Sequence, residues 1–106
     1  MTVFFGLWKD NPNIPPPAAP SDQVKQFEGF AAAIKMQKQS GDLKEVHAFP
    51  GTSSGYFISG DVSAERLDQD LELFIPWVIF EVHQTIPIEK ALENAVNAAK
   101  MRASQM

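Results

Sequence analysis

Alternating apolar and polar positions predict four β-strands along the chain. The clearest lies in Trp77–Pro87, WVIFEVHQTIP, where side chains on alternate positions point to opposite sides. One side holds Val78, Phe80 and Val82, and the other holds Ile79, Glu81 and His83. The other predicted strands are Thr2–Trp8, which is apolar on both sides, then Leu43–Phe49 and Tyr56–Ser59. The last two flank a Pro-Gly-Thr-Ser-Ser-Gly loop, so they are expected to form a hairpin.

Apolar residues at helical spacing predict three helices between and after these strands. The first is expected over Asp22–Gln39, with Ser21 as its N-cap and Gly41 at its end. The second is expected over Ala64–Phe74 with Ser63 as its N-cap, and the third over Ile88–Met106, directly after Pro87. The proline-dense segment Lys9–Pro20 is expected to be a stiff loop.

The resulting order, β-α-β-β-α-β-α, predicts one α+β domain over residues 1–106 with a ferredoxin-like β-α-β-β-α-β unit and an extra C-terminal helix. The unit has a four-stranded antiparallel sheet in the order 4-1-3-2, with helices on one face only. The uncovered face is expected to hold Phe4, Trp8, Glu45, His47, Phe49, Ile79, Glu81 and His83. This face is too apolar to remain in water, so a homodimer with sheet packed against sheet is expected.

Composition limits the partners that the chain can have. A net charge of -4 disfavours nucleic acid and anionic membranes, which select clustered basic surfaces. There is no apolar run long enough to span a membrane and no secretion-signal pattern at the N-terminus, so a cytoplasmic location is expected. The absence of cysteine excludes disulfides, thiolate metal sites and cysteine nucleophiles.

The candidate catalytic residues are Glu81 and His83, because a carboxylate and an imidazole that share a face can exchange protons with a ligand. The alternative is that both are polar interface groups satisfied by hydrogen bonds. His47 is expected on the opposite edge strand, about 14 Å from His83 across three interstrand spacings. Two histidines so placed lack the spacing of metal ligands, so no metal site is predicted.

Aromatic side chains could hold a ring-shaped ligand, or they could form a dimer core. The candidate substrate-binding residues are Phe4, Trp8, His47 and Tyr56. The sequence Gly51-Thr52-Ser53-Ser54-Gly55 fits G-x-S-x-G, but a strand follows it instead of a helix. It is therefore interpreted as a hairpin loop and not as the nucleophile turn of a hydrolase.

The chain resembles the muconolactone isomerase-like group of small dimeric α/β barrels. The resemblance covers most of the first 87 residues. It is carried by the short first strand, the NPNIPPP loop and the block GYFISGDVSAERLDQDLELFIPWVIFEVHQTIP. It implies a dimer or larger homo-oligomer, a ligand cavity between sheet and helices, and proton transfer on small organic acids or lactones without a cofactor. The third helix is longer than the resemblance leads us to expect.

Two functions remain open from the sequence. The first is a small-molecule isomerase or binder in which Glu81 or His83 transfers a proton and Phe4, Trp8 and Tyr56 hold the ligand. The second is a non-catalytic oligomeric module whose uncovered face is only an interface. The resemblance adds a third, cofactor-free oxygen chemistry on an aromatic ligand, which no residue selects.

Overall fold

A computed structural model describes residues 2–105, and the order of its elements is the one predicted. The strands are β1 (Phe4–Asp10), β2 (Leu43–Ala48), β3 (Ser54–Ser59) and β4 (Val78–Gln84). The helices are α1 (Pro20–Ser40), α2 (Ala64–Glu72) and α3 (Ile88–Ser104). Met106, which was predicted to end the third helix, lies outside the described residues.

The strands form one antiparallel sheet in the order β2-β3-β1-β4, which confirms the predicted arrangement. Side chains of α1 and α2 face the same side of this sheet, where they approach Phe57 and Phe80. The fold is therefore α+β and ferredoxin-like, with the extra C-terminal helix that the sequence predicts.

The helix ends follow the predicted capping at two of three places. Gly41 ends α1 in the left-handed conformation with φ 83°. The Ser63 hydroxyl accepts a hydrogen bond from the Arg66 N–H at 3.1 Å, as expected of an N-cap. The prediction of Ser21 as the N-cap of α1 is wrong: the helix begins earlier, at Pro20, and Ala19 is the N-cap. Proline is favoured at a first helical position because its φ is already helical.

A hydrogen bond between two buried groups sets the orientation of β1. The Phe4 N–H donates to the Ser59 hydroxyl at 2.8 Å, and the Phe4 side chain, 7% exposed, joins Phe57, Val62 and Leu67 in the core. The prediction that Phe4 and Trp8 lie on the uncovered face is therefore wrong. Both side chains face the helices. The prediction failed because β1 is apolar on both sides, so alternation alone could not show which side faces the helices.

The other face of the sheet, called the open face below, has no helix packed on it in the described residues. Its side chains follow from alternation and register: Phe5, Leu7, Lys9, Glu45, His47, Tyr56, Ile58, Ile79, Glu81 and His83. On the part of the open face near β2, the Tyr56 ring packs among three other rings. The ring centroids of Phe5, His47 and Phe49 lie between 5.2 and 6.1 Å from that of Tyr56. The predicted positions of His47, Glu81 and His83 are thus confirmed.

Helix α3 projects from the sheet instead of packing against it. The described chain measures 69 × 28 × 24 Å, which is far longer than it is wide. Every side chain of α3 is exposed or half-buried. In the part of the chain that the structure describes, no helix is long and apolar enough to cross a membrane.

Gly55 permits close packing where β1, β2 and β3 meet. The Trp8 indole N–H donates to the His47 carbonyl at 3.2 Å, and the indole crosses β3 at Gly55. A Cβ at this position would overlap the His47 carbonyl oxygen and lie 2.7 Å from the Trp8 ring.

We therefore expect Gly55→Ala to lower the free energy of unfolding by about 1–3 kcal/mol, the range found for overpacking. Ser53→Ala is the matched control, because Ser53 is a nearby exposed residue before β3. Its expected cost is below about 0.5 kcal/mol. Chemical denaturation measures both, and equal effects would contradict this account of Gly55.

Candidate functional site

A cavity of about 350 Å³ lies between the sheet and the two covering helices. This volume is within the range of small-molecule sites, about 300–1,000 Å³. Its apolar lining comes from both layers: Trp8, Leu43, Val46, Phe57, Val78 and Phe80 from the sheet, Phe27, Phe30 and Ile34 from α1, and Leu67, Leu71 and Phe74 from the α2 region. The few polar lining residues are Asp10, Gln37, Asp42, Ser53, Ser59 and Asp70.

The cavity exists because α1 does not close fully onto the sheet. Phe27 lines the cavity and yet is 63% exposed, so one side of the space is open to solvent along α1. Phe30 stays attached to the far wall through Phe74, with ring centroids 5.2 Å apart. A ligand could therefore enter beside Phe27 and bury its apolar surface against the sheet.

A carboxylate pair lies at the α2 end of this cavity. Asp42 follows α1 and Asp70 lies on α2, and both carboxyl groups lie beside the Arg66 side chain. The Arg66 Nε is 2.8 Å from Asp42 Oδ2 and 3.8 Å from Asp70 Oδ1. The Gln37 side chain donates to the Asp70 backbone carbonyl at 3.1 Å, which ties α1 to α2 at this point.

The two carboxyls differ in their affinity for a proton. The hydrogen bond from Arg66 is the main cause that lowers the pKa of Asp42 below its ordinary value. Burial, followed by the hydrogen bond to Asp42, raises the pKa of Asp70. Environments that separate the pKa values of neighbouring acids are typical of acid–base sites, although structural ion pairs produce such shifts too.

The sequence-predicted site residues are divided between the two faces of the sheet. Glu81, Tyr56 and His47 lie in one row across the open face, with Leu7 between Glu81 and Tyr56. His83 lies in the next row, and its Nε2 is 3.2 Å from Glu81 Oε2. His47 and His83 are three strands apart, as predicted.

The remaining two predicted residues lie on the helix side. Trp8 lines the cavity, whereas Phe4 is packed in the core beneath it. The cavity thus contains one of the predicted aromatic residues and neither of the predicted acid–base residues.

Sequence reasoning missed the carboxylate pair. Arg66 and Asp70 have the i, i+4 spacing of an ion pair on a helix face, which was a readable signal. Asp42 carried no such signal, since it joins them only through the fold. Across residues 2–105, no group of three or more metal-ligating side chains of the His, Cys, Asp or Glu type comes together.

Comparison with solved structures places the chain beside muconolactone isomerase. Its crystal structure superposes with a TM-score of 0.66 and 15% sequence identity, over 80% of this chain and 88% of the isomerase chain. The fold resemblance inferred from the sequence is thereby confirmed, and at this identity the likeness concerns the fold. No family model matches the chain, and no curated protein sequence matches it.

The opposite pKa shifts predict opposite effects of pH on stability. A raised pKa means that the folded state holds the Asp70 proton more tightly than the unfolded state does. The stability from protonated Asp70 is therefore fully present below pH 3.8, the ordinary pKa, and is lost as the pH rises through the folded pKa. We expect Asp70→Asn to raise the Tm by a few degrees at pH 7, with the gain shrinking towards acid pH.

Asp42→Asn is the matched comparison for Asp70→Asn. The lowered pKa of Asp42 means that its carboxylate stabilises the folded state above pH 3.8, the ordinary pKa. This contribution is lost as the pH falls through the pKa of Asp42 in the folded state. The variant should therefore lower the Tm at pH 7 and have less effect in acid. Calorimetry from pH 3 to 7 measures both series, and a lower Tm of Asp70→Asn at pH 7 would contradict the assignment.

Proposed function

We propose that this chain is a cofactor-independent enzyme that transfers a proton within a small molecule bound between the sheet and α1 and α2. The observation that carries the proposal is the apolar cavity with a carboxyl of raised pKa, Asp70, in its lining. The fold shared with muconolactone isomerase, an enzyme named for isomerising a lactone, supports the same chemistry.

The cavity lining suggests the class of ligand. The walls are aromatic and aliphatic, which suits a small ring or a short unsaturated chain. Three aspartates in the lining disfavour a ligand that carries several negative charges. We therefore favour a small lactone or enol over a polyacid, with its oxygen group directed towards Asp70 and its ring against Trp8.

In the proposed reaction, Asp70 is the proton carrier. Its carboxylate removes a proton from a carbon beside the ligand's carbonyl, the double bond shifts, and the same carboxyl returns the proton to another carbon. A raised pKa makes Asp70 a better base, because a base works best when its pKa approaches the working pH. Arg66 keeps Asp42 ionised, so in this proposal Asp70 alone takes up the proton and returns it.

In this proposal Glu81 and His83 have the interface role that the sequence left open as the alternative to catalysis. They are exposed, hydrogen-bonded to each other and on the opposite face of the sheet from the cavity. The apolar centre of the open face, formed by Phe5, Leu7 and Ile58, is half-buried in one chain. A second copy of the chain would cover it and form a homodimer.

Polar groups at the two edges of the open face are complementary under a two-fold axis. Glu81 and His83 lie on edge strand β4, and His47 and Glu45 occupy the same two rows on edge strand β2. An axis parallel to the strands, between two packed sheets, places β4 of one copy over β2 of the other. Glu81 then meets His47 of the second copy, and His83 meets Glu45.

Ligand binding is tested with tryptophan fluorescence, because one of the two tryptophans, Trp8, lines the cavity. In a Trp77→Phe variant we expect small lactones to change the Trp8 emission in a saturable manner. Ile34→Phe in the same Trp77→Phe background should weaken binding at least about tenfold, because the larger side chain fills part of the cavity.

Catalysis is tested in the same panel by exchange of ligand carbon-bound hydrogen with deuterium from solvent. Asp70→Asn should reduce exchange by about 10²–10⁴-fold and leave the binding constant within a few-fold. Glu81→Gln should leave both unchanged. Binding without exchange in the unmodified protein would make it a binder, and loss of exchange only in Glu81→Gln would move the chemistry to the open face.

The edge pairing is tested by exchanging the two charges. His47→Glu should weaken the dimer by about tenfold or more, because it sets an acid against Glu81 of the second copy. Adding Glu81→His should restore the dimer, since the pair is then merely reversed. Sedimentation equilibrium measures both, with Asn97→Asp on α3 as the control. A double variant no tighter than His47→Glu would contradict the proposed axis.

A further inference from the structure

Helix α3 carries an apolar stripe that nothing in the described part of the chain covers. The stripe recurs at spacings of three and four: Ile88, Ala91, Leu92, Ala95, Val96 and Ala99. Ile88, Leu92 and Val96 are 65%, 59% and 52% exposed. Most of the stability of a helix in a protein comes from packing of its apolar face, so a surface that buries the stripe would stabilise α3.

The same chain has an apolar groove with nothing in it, between α1 and the segment that leads from α2 to β4. Gly29 and Ala33 of α1 form its floor, and Leu73 and Trp77 form one side. No heavy atom outside the helix lies within 4 Å of a Cβ built on Gly29, so the floor is open. Leu73, 57% exposed, adds apolar surface that the chain does not bury.

The helix and the groove each combine small and large apolar residues. Small residues on a helix allow a second helix to approach closely, and the α3 stripe pairs its own small residues, Ala95 and Ala99, with larger ones. Leu92 and Val96 would pack against Leu73 and Trp77 while the alanines approach Gly29 and Ala33. This is the helix-in-groove mode, with anchors at i, i+3, i+4 and i+7.

Charges give the contact a direction. The first half of α3 is acidic, with Glu89 and Glu93 against Lys90, and its last turns carry Lys100 and Arg102. The groove has Lys25 at the end near the start of α1, whereas Glu72 precedes Leu73 on the other side. An α3 lying parallel to α1 brings each end of the helix towards the opposite charge.

In this structure α3 does not contact the groove of its own chain. Trp77 precedes β4, and α3 starts after the far end of that strand, joined to it by only Thr85–Pro87. The helix then continues away from the sheet along the 69 Å axis of the chain.

We propose that α3 of one chain occupies the α1 groove of a second copy of the same chain. This contact lies on the helix side, apart from the sheet-to-sheet dimer proposed above, so the two together would build an assembly larger than a dimer. Each chain offers one helix and one groove, so the contact either closes reciprocally between two copies or continues around a ring.

Engineered cysteines test this contact, because the natural chain has none. A full-length Val96→Cys chain is mixed with a full-length Leu73→Cys chain that carries a mass tag, and the mixture is treated with a mild oxidant. We expect a covalent heterodimer on a denaturing gel, about tenfold more abundant than with Asn97→Cys, whose side chain lies on the polar face of α3.

A second variant tests the groove itself. Ala33→Trp in the Leu73→Cys chain should lower cross-linking to the Asn97→Cys level, because the indole would fill the groove. Circular dichroism checks that every variant is folded. Three outcomes overturn the proposal: no heterodimer, faster cross-linking of Val96→Cys with itself, or an intrachain disulfide in the Val96→Cys, Leu73→Cys double variant. Failure of the sheet-to-sheet dimer or of lactone binding would leave this test unaffected.

Discussion

The hydrogen bond from the Phe4 N–H to the buried hydroxyl of Ser59 is the constraint on which the rest of the structure depends. It joins β1 to the end of β3 across 55 positions and turns Phe4 towards the helices. Because side chains alternate along a strand, a shift of one residue would send every β1 side chain to the other face. The position of Phe4 thus decides that Trp8 lines the cavity and that Leu7 lies on the open face.

This alternation separates two apolar surfaces that a chain of 106 residues could not fill by itself. On the helix side, α1 leaves an open cavity with Asp70 in its lining. On the open face, half-buried Leu7 and Ile58 lie between polar pairs at both edges. The proposal gives these surfaces different partners, a small molecule for the cavity and a second copy of the chain for the open face.

Local patterns were sufficient to predict the order of the elements and the faces of two strands. In β2 and β4 the polar residues, among them His47 and Glu81, mark one side, so the alternation could be interpreted directly. In β1 both sides are apolar, and only the distant Ser59 decides between them. The start of α1 was misplaced because a good capping residue, Ser21, follows a proline that suits the first turn better.

The candidate site could be predicted less well than the fold, because its parts come from distant segments. Asp42 and Asp70 are far apart in the sequence, and both come beside Arg66 only after α1 and α2 have packed. The size of the cavity depends on the distance between α1 and the sheet, which no periodicity records. Glu81 and His83 were visible as a pair because they are two residues apart on one strand.

A crystal structure of the protein soaked with a small lactone would test the central claim most directly, namely that the two faces of the sheet have different partners. The account predicts ligand density between α1 and the sheet, within hydrogen-bonding distance of Asp70, and a second copy of the chain on the open face. Ligand density on the open face beside Glu81 and His83, with the cavity closed by α1, would contradict it.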